Sequence, residues 1–393
     1  MDIFAKCYDF TEADKIKAAG YYFLFREIES AQDTEVIVGG RKLIMAGSNN
    51  YLGLANHPKV KEAAIKAVEK YGTGCAGSRF LNGNLDIHEK LEAKLAAFFH
   101  KDAAVVFATG YQTNLGAISA LVGRNDAVIL DKFDHASILD GCRLSFGKVK
   151  KFRHNDMEDL ERVLSSTSDK AGKLIIVDGV FSMEGDITPL PEVIALARKY
   201  EARVMVDDAH AVGVLGEGGR GTAEHFHMED EVDMIMGTYS KSLAAIGGFI
   251  VASKEVANYV RHHARSLIFS ASLAPPLVAA VSVALDIIQS EPERRERLWH
   301  NTRKMLKGYK ELGFDTGSSE TPIIPIIIGD QVKTFKMCGL LQEYGVFVNP
   351  TVSPAVPPGR ELLRTSYMAT HTEEQLDKIL DAFGRAGRQL GVI

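Results

Sequence analysis

Short apolar runs alternate with helical patterns along the middle of this chain of 393 residues, from about residue 57 to residue 253. The runs are continuously apolar, which is typical of parallel strands that are buried on both faces of a sheet. Strands separated by helices indicate an α/β fold, in which helices cover both faces of a mainly parallel sheet. The predicted strands are 103–108, 127–131, 173–179, 202–208, 233–238 and 248–253, and the predicted helices are 57–71, 86–99, 112–122, 156–165 and 190–200.

The two ends of the chain depart from this alternation. Residues 1–30 carry apolar residues at roughly helical spacing and predict a helical arm, and the segment around Gly39-Gly40 predicts a hairpin. After residue 290 the chain is first more charged, then rich in β-forming residues, and it ends in a helical pattern. We expect the arm to pack against this last part. The predicted divisions are an N-terminal arm and hairpin over 1–45, a large domain over 46–288 and a smaller α+β domain over 289–393.

Composition excludes several classes of function. A net charge of −5 gives no sign of a nucleic-acid-binding surface, and the short basic stretch GKVKKFRH (147–154) is interpreted as a solvated edge. No apolar stretch reaches the roughly 18 residues of a membrane span, and no signal peptide is visible. The scattered cysteines predict reduced thiols in a cytoplasmic protein, without a zinc site or a disulfide. They are Cys7, Cys75, Cys142 and Cys338.

Two short motifs suggest sites that their context does not support. GTGCAG (72–77) matches the glycine fingerprint of dinucleotide-binding folds, but a helical pattern precedes it where that fingerprint requires a strand. A flexible loop that allows close approach of a ligand is the better interpretation. HFHMEDE (225–231) contains metal-ligating residue types, but no third ligand follows from the spacing, so we predict no metal.

Lys241 lies between two apolar runs, DMIMGT before it and GFIVAS after it. A lysine in apolar surroundings has a lowered pKa and becomes a nucleophilic amine. The alternative is a structural ion pair. The neighbours favour a site instead, because Thr238, Ser240 and Ser242 offer hydroxyl groups to a phosphate and the small residues beyond them leave room.

Asp207 ends another apolar run, and His210 follows three residues later. Ligands of parallel sheets bind beyond the carboxyl ends of strands, where both residues would lie. Taken alone, the pattern favours an aspartate that caps the next helix and a histidine in a loop. Together with Lys241 it indicates pyridoxal phosphate (PLP), which needs a lysine for a Schiff base and a carboxylate beside the pyridine nitrogen.

Two further segments complete this prediction. ATGYQTNLGA (108–117) passes from a strand through a glycine turn into a helix that begins near Gln112, and a helix N-terminus attracts phosphate. His135 follows the strand AVILD, where its imidazole could stack on a flat ring or donate to a carboxylate, although a packed histidine without a catalytic role is the default alternative.

These segments together resemble the α-oxoamine synthases, PLP-dependent enzymes of fold type I. The resemblance covers nearly the whole chain, and it implies an α/β fold with a mainly parallel central sheet and a smaller α+β C-terminal domain. Such enzymes condense an amino acid with an acyl thioester and release carbon dioxide. The motifs that carry it, in chain order, are GSNNYLGL (47–54), GTGCAGSRFLNG (72–83), DHASILDG (134–141), FSMEGDI (181–187), VDDAHAVG (206–213) and GTYSKS (237–242).

The resemblance implies roles for matching residues. Lys241 would bind the cofactor covalently, Asp207 would pair with its pyridine nitrogen, His210 with its phenolic oxygen, and His135 would stack over its ring. The catalytic residues would be Lys241, Asp207, His210 and His135. Groups that would bind the cofactor or its phosphate are Gly110, Tyr111, Ser182, Thr238 and Ser240, with Ser270 and Ala271 reaching the phosphate of a partner subunit; Asn49, Arg364 and His135 would hold the substrate.

Within the family, the sequence most resembles bacterial members that condense L-serine with a long-chain acyl-CoA, such as palmitoyl-CoA, in the first step of sphingolipid synthesis. The resemblance implies a homodimer with shared active sites and no transmembrane segment, and peripheral membrane contact stays open. Alternatives are 8-amino-7-oxononanoate synthases, glycine C-acetyltransferases and enzymes that use alanine or cysteate. A regulatory subunit without catalysis is disfavoured because Lys241 is present.

Overall fold

The structure, a computed structural model, describes residues 2–393. Within these residues the strands are β1 (Glu35–Val38), β2 (Arg41–Met45), β3 (Ala103–Phe107), β4 (Ala127–Asp131), β5 (Lys148–Phe152), β6 (Lys173–Asp178), β7 (Arg203–Asp207), β8 (Met234–Thr238), β9 (Gly248–Ala252), β10 (Ile323–Ile327), β11 (Val346–Phe347), β12 (Asn349–Thr351) and β13 (Leu362–Ser366). The helices are α1 (Ala5–Tyr8), α2 (Glu12–Ala18), α3 (Pro58–Tyr71), α4 (Asp86–Phe98), α5 (Gly110–Leu121), α6 (Ala136–Leu144), α7 (Met157–Ser165), α8 (Leu190–Lys199), α9 (Thr222–His225), α10 (Lys254–His263), α11 (Arg265–Ile268), α12 (Pro275–Ser290), α13 (Glu293–Leu312), α14 (Gln331–Glu343) and α15 (Glu373–Leu390).

Seven strands form the central sheet, in the order β3-β9-β8-β7-β6-β4-β5. Strands β8, β7, β6, β4 and β5 pair in parallel, whereas β9 runs antiparallel to both of its neighbours, β8 and β3. The connection between β8 and β9 has no crossover helix, so the chain can only return in the opposite direction. The predicted α/β class with a mainly parallel sheet is confirmed, and all six predicted strands are present.

The continuous apolar runs are explained by cores on both faces of this sheet. In β7, Val204 and Val206 belong to one buried cluster and Met205, between them, belongs to another. Successive side chains of a strand point to opposite faces, so a strand covered on both sides is apolar at every position. Helices therefore pack on both faces, as the pattern predicts.

The basic stretch at 147–154 contains β5, the edge strand of the sheet, which the sequence analysis did not predict as a strand. Lys148 and Lys151 are exposed, and Phe152 is the buried residue at its end. Lysines on an edge strand discourage pairing with another chain. The interpretation of this segment as a solvated edge therefore agrees with its position, although it missed the strand.

The predicted N-terminal helical arm is wrong beyond residue 18. Helices occupy only Ala5–Tyr8 and Glu12–Ala18, and residue 1 lies outside the described part of the chain. Gly20, with φ of +73°, ends the second helix in the left-handed region that glycine favours. The hairpin is present: Gly39 and Gly40 have φ of +55° and +69°, as a tight turn between two strands requires.

The N-terminal segment packs against the C-terminal part of the chain. Strand β2 pairs in parallel with β11, and the ring of Tyr21 stacks on that of Phe335 with centroids 5.9 Å apart. A second small sheet, β10-β13-β12, lies in the same part of the chain. The divisions at residues 45 and 288 stay predictions.

Two observations concern chemistry outside the sheet. All four cysteines are free thiols. Among residues 2–393, no helix combines the length and apolar character needed to cross a membrane.

Candidate active site

A cavity of about 260 Å³ opens at the carboxyl ends of the central strands. It lies where β4 and β6 are neighbours although β5 comes between them in the chain, which is the switch point at which open α/β sheets bind ligands. Nine of the residues predicted for the site line it together: Gly110, Tyr111, His135, Ser182, Asp207, His210, Thr238, Ser240 and Lys241.

Lys241 follows β8 by three residues and points into this cavity. Burial lowers the pKa of its amine to about 8, against the opposing effect of Asp207 and Asp178, and the positive charge of Arg364 adds to the lowering. Among residues 2–393, Lys241 forms no salt bridge. The alternative of a structural ion pair therefore has no support, and the amine is available as a nucleophile.

Asp207 ends β7, the strand next to β8, and its side chain is buried. The carboxylate accepts two hydrogen bonds: one from Asn114 Nδ2 to Oδ2 at 2.7 Å, and one from the backbone N–H of Ala209 to Oδ1 at 3.0 Å. Turns rather than a helix follow, so this aspartate does not cap a helix. Its two donors are of the kind that stabilise an ionised carboxylate.

His210 is held by a residue that the sequence analysis missed. The hydroxyl of Tyr51 lies 2.6 Å from Nδ1 of His210 and 3.3 Å from Oδ1 of Asn49. Burial, then the charges of Lys241 and Arg364, hold the pKa of His210 well below its usual value, and burial raises the pKa of Tyr51 to about 12. We therefore infer that the Tyr51 hydroxyl donates to Nδ1 of His210, the shorter of its two contacts. The proton of the neutral imidazole then lies on Nε2.

The N-terminus of α5 forms the opposite end of the cavity. The helix begins at Gly110, two residues before the predicted start at Gln112, because Thr109 caps it by accepting the N–H of Gln112 at 3.1 Å. A Cβ on Gly110 would lie 2.5 Å from Oγ1 of Thr238, so glycine is required for this close approach. Oγ1 of Thr238 is in turn 3.0 Å from Oγ of Ser240. Free N–H groups and two hydroxyls thus converge as an anion site.

His135 lies at the mouth of the cavity, immediately before α6. Its Nδ1 is 2.7 Å from Oγ of Ser137 and accepts the N–H of the same residue at 3.2 Å. Although part of His135 is open to solvent, desolvation lowers the pKa of its imidazole, and Lys241 adds to this while Asp207 opposes it. The ring is therefore neutral at neutral pH.

Four predicted residues lie outside the lining of the cavity. Arg364, on β13, is buried and donates from Nε to the carbonyl of Ser182 at 2.6 Å. Oδ1 of Asn49 accepts a hydrogen bond from the Tyr51 hydroxyl described above. Asn49 and Arg364 therefore both lie beside the site. Ser270 accepts a hydrogen bond from Gln112 at 3.3 Å, at the outer side of α5. The substrate roles of Arg364 and Asn49, and the roles of Ser270 and Ala271 toward a partner subunit, stay predictions.

Sequence reasoning missed four residues of or beside the cavity. Asp178 ends β6, directly opposite Asp207 in the sheet register, and the strand-end rule that found Asp207 could have found it. Asn114 lies four residues after Gly110, hence on the same face of α5. The other two, Tyr51 and Ser137, lie within the motifs GSNNYLGL and DHASILDG, to which the sequence analysis gave no role for these positions.

The donor set fits pyridoxal phosphate. One cavity presents an amine with a lowered pKa, a buried carboxylate and an anion site at a helix N-terminus, which are the groups that this cofactor needs. Among residues 2–393, no group of three or more histidine, cysteine or acidic side chains is arranged to hold a metal ion.

Comparisons with known proteins agree with this chemistry. The family described as aminotransferase class I and II matches residues 41–383. The chain is 53% identical over 380 residues to a serine palmitoyltransferase of Sphingobacterium spiritivorum, covering 97% of this chain and 95% of the relative. It is 54% identical over 375 residues to that of Bacteriovorax stolpii, covering 95% and 89%. Identity to an 8-amino-7-oxononanoate synthase of Symbiobacterium thermophilum is 47% over 383 residues, covering 97% and 98%.

Solved structures extend the similarity to the whole fold. A high-resolution structure of SPT with a PLP internal aldimine superposes with a TM-score of 0.96 at 39% identity, covering 100% of both chains. A serine palmitoyltransferase variant from S. paucimobilis with a bound PLP–myriocin aldimine gives the same TM-score, identity and coverage. The chain therefore belongs to the aminotransferase class I and II family and, within it, to the PLP-dependent α-oxoamine synthases.

Proposed function

We propose that this chain is a serine palmitoyltransferase, a PLP-dependent acyltransferase that condenses L-serine with a long-chain acyl-CoA and releases carbon dioxide and coenzyme A. With palmitoyl-CoA the product is 3-oxosphinganine. The observation that carries the proposal is that Lys241 and Asp207 line one cavity at the ends of neighbouring strands. Relatives named serine palmitoyltransferase are 52% to 54% identical, against 44% to 47% for those named 8-amino-7-oxononanoate synthase.

Each end of the cavity would hold a different part of the cofactor. Lys241 would bind it covalently through Nζ, and Asp207 would keep a proton on the pyridine nitrogen. His210 would donate from Nε2 to the phenolic oxygen, because its other nitrogen is occupied by Tyr51. The phosphate would lie against the α5 N-terminus with Thr238 and its neighbouring hydroxyl. When bound, the cofactor supplies an electron sink for the bonds at the substrate Cα.

The chain's own residues then handle protons and substrate charge. Once the substrate amine has displaced it from the cofactor, Nζ of Lys241, whose pKa is lowered to about 8, would be partly neutral near pH 7.5 and would accept the Cα proton of the amino acid. Arg364 and Asn49, beside His210, would hold the substrate carboxylate. The Nε2–H of His135 would donate to the thioester carbonyl or to that carboxylate during acyl transfer.

The expected partners belong to the same proposal. We expect a homodimer, in which Ser270 and Ala271 of one copy reach the cofactor phosphate of the other. Contact with a membrane surface and a cytoplasmic location stay predictions.

A substrate titration tests the proposal. The purified holoenzyme is titrated with L-serine, glycine, L-alanine and L-cysteate while the visible absorbance of the cofactor is followed, and release of coenzyme A from palmitoyl-CoA is then measured with each. We expect serine to give the highest kcat/KM. If another amino acid gives the highest kcat/KM, that amino acid replaces serine as the proposed substrate, and the assignment to the family is unaffected.

The control is Lys241→Ala, a truncation in the cavity rather than in the core. The variant should fold and bind the cofactor without a covalent bond, and turnover should fall below detection. A variant that retains full turnover would refute both the proposed chemistry and the assignment of the nucleophile.

A further inference from the structure

We propose that Asn114 and Ser137 are positioning residues that fix His135 in the tautomer protonated on Nε2 and tie its imidazole to Asp207. The inference deepens the proposed function and rests on it for the catalytic role of His135. It stands on a continuous chain of hydrogen bonds whose donors and acceptors can each be assigned.

The chain begins at the amide of Asn114, which is fully buried on α5. Its Nδ2 donates to Oδ2 of Asp207 at 2.7 Å and to Oγ of Ser137 at 2.8 Å. The amide cannot be turned over, because that would place its oxygen against a carboxylate oxygen. In this orientation Oδ1 of Asn114 is buried without a hydrogen-bond partner among residues 2–393. The two hydrogen bonds that Nδ2 donates outweigh the cost of this unpaired oxygen.

Ser137 passes the constraint to His135. Its Oγ accepts a hydrogen bond from Nδ2 of Asn114, so its own hydroxyl is free to donate to Nδ1 of His135, 2.7 Å away. The backbone N–H of Ser137 also points at Nδ1, at 3.2 Å. A nitrogen that faces two donors carries no proton itself, and a neutral imidazole then holds its proton on Nε2.

This arrangement also opposes protonation of the ring. A second proton would have to go to Nδ1, where both donors of Ser137 would be displaced. The other titratable or charged groups that face His135 are Asp207, Lys241 and His210. Of these, Asp207 favours the charged ring and Lys241 opposes it. The hydrogen bonds therefore help to keep His135 a neutral donor beside a carboxylate.

The test is a long-range ¹H–¹⁵N NMR spectrum of histidine-labelled enzyme from which the cofactor has been removed. His135→Asn identifies the His135 signals by their loss. In the wild type, Nδ1 should show the chemical shift of an unprotonated nitrogen. A wild-type spectrum with the proton on Nδ1 would overturn the proposal without any variant.

Variants then separate positioning from packing. Ser137→Ala should mix the two tautomers, raise the pKa of the His135 ring and lower kcat for serine at least tenfold, whereas Ser137→Thr, which keeps the hydroxyl, should restore the wild-type spectrum. Ser165→Ala, whose Oγ donates only to the carbonyl of Arg162 in its own helix, is the matched control. If Ser137→Ala leaves the His135 signals unchanged, the proposal is wrong. If the signals change but serine is not a substrate, the positioning stands and the proposed function fails.

Discussion

The close approach of Gly110 to Thr238 gives the sharpest test of how this fold shapes its anion site. In Gly110→Ala, the new Cβ would lie 2.5 Å from Oγ1 and 2.8 Å from Cβ of Thr238, distances that require something to move. Thr238 cannot turn away freely, since its hydroxyl donates to the carbonyl of Gly247 at 3.0 Å. The strain is relieved only if the α5 N-terminus separates from β8, and this separation opens the anion site.

The expected effect follows from the cost of overpacking. One extra methyl group in a packed site costs about 1 to 3 kcal/mol. If binding of PLP must restore the original spacing, this cost reappears in the binding free energy. At about 1.4 kcal/mol for each tenfold change, Gly110→Ala should weaken PLP binding about 5-fold to about 140-fold. Covalent bonding to Lys241 is untouched, so the variant should still bind the cofactor at high concentration.

The assay is a titration of PLP into enzyme from which the cofactor has been removed, followed by absorbance. Gly339→Ala on α14 is the control, because a Cβ there meets only Phe23, at an ordinary contact distance of 3.5 Å, and its φ is not in the left-handed region. Thermal unfolding, monitored by circular dichroism, shows whether either variant loses its fold. A Gly110→Ala protein that binds PLP within twofold of the wild type would refute the argument that this contact shapes the site.

Two further predictions concern protonation in the cavity. Because only the neutral amine attacks the cofactor aldehyde and the pKa of Lys241 is lowered to about 8, the rate of PLP binding should rise about tenfold per pH unit below pH 8 and level off above it; a rise that continues toward 10.5, the ordinary value for lysine, would contradict the burial of this amine. Tyr51→Phe removes the donor to Nδ1 of His210 and should lower kcat/KM for serine by about 2-fold to about 13-fold, the worth of one neutral hydrogen bond. Unchanged kcat/KM and an unchanged absorbance of the bound cofactor would show that His210 needs no such partner.

The hydrophobic pattern alone could predict most of the fold. Continuous apolar runs such as β7 follow directly from burial on both faces, so the strands of the sheet interior were predictable. Strand β5 was not, because an edge strand is solvated and its lysines hide the apolar signal. The direction of β9 depends on the length of the connection before it rather than on residue type, so the runs themselves carry no sign of it.

The site divides in the same way between local and long-range information. Lys241, Asp207 and His210 were predictable because each follows a strand, and parallel strands bring their carboxyl ends to one edge. Asn114 and Tyr51 act through partners 93 and 159 residues away in the chain. Such pairs depend on how helices and loops lie against the sheet, which a single sequence does not encode in any local pattern.

The carboxyl groups at this edge of the sheet differ in their hydrogen-bond donors. Asp134, Asp178 and Asp207 are all buried at neighbouring strand ends. Burial, together with neighbouring carboxylates, raises the pKa of Asp178 and of Asp134 well above the usual range.

Asp207 differs from these two in its donors. Asp134 accepts the backbone N–H groups of Asp131 at 2.9 Å and Asp178 at 3.0 Å, whereas Asp207 accepts one backbone N–H and the buried side-chain amide of Asn114. Desolvation is the largest cause of the raised pKa of Asp178, one strand away, and the charges of Asp207 and Asp134 add to it. Asn114 thus does two things with one amide nitrogen: it donates to the carboxyl group at the end of β7 and, through Ser137, orients the histidine on the other side of the cavity.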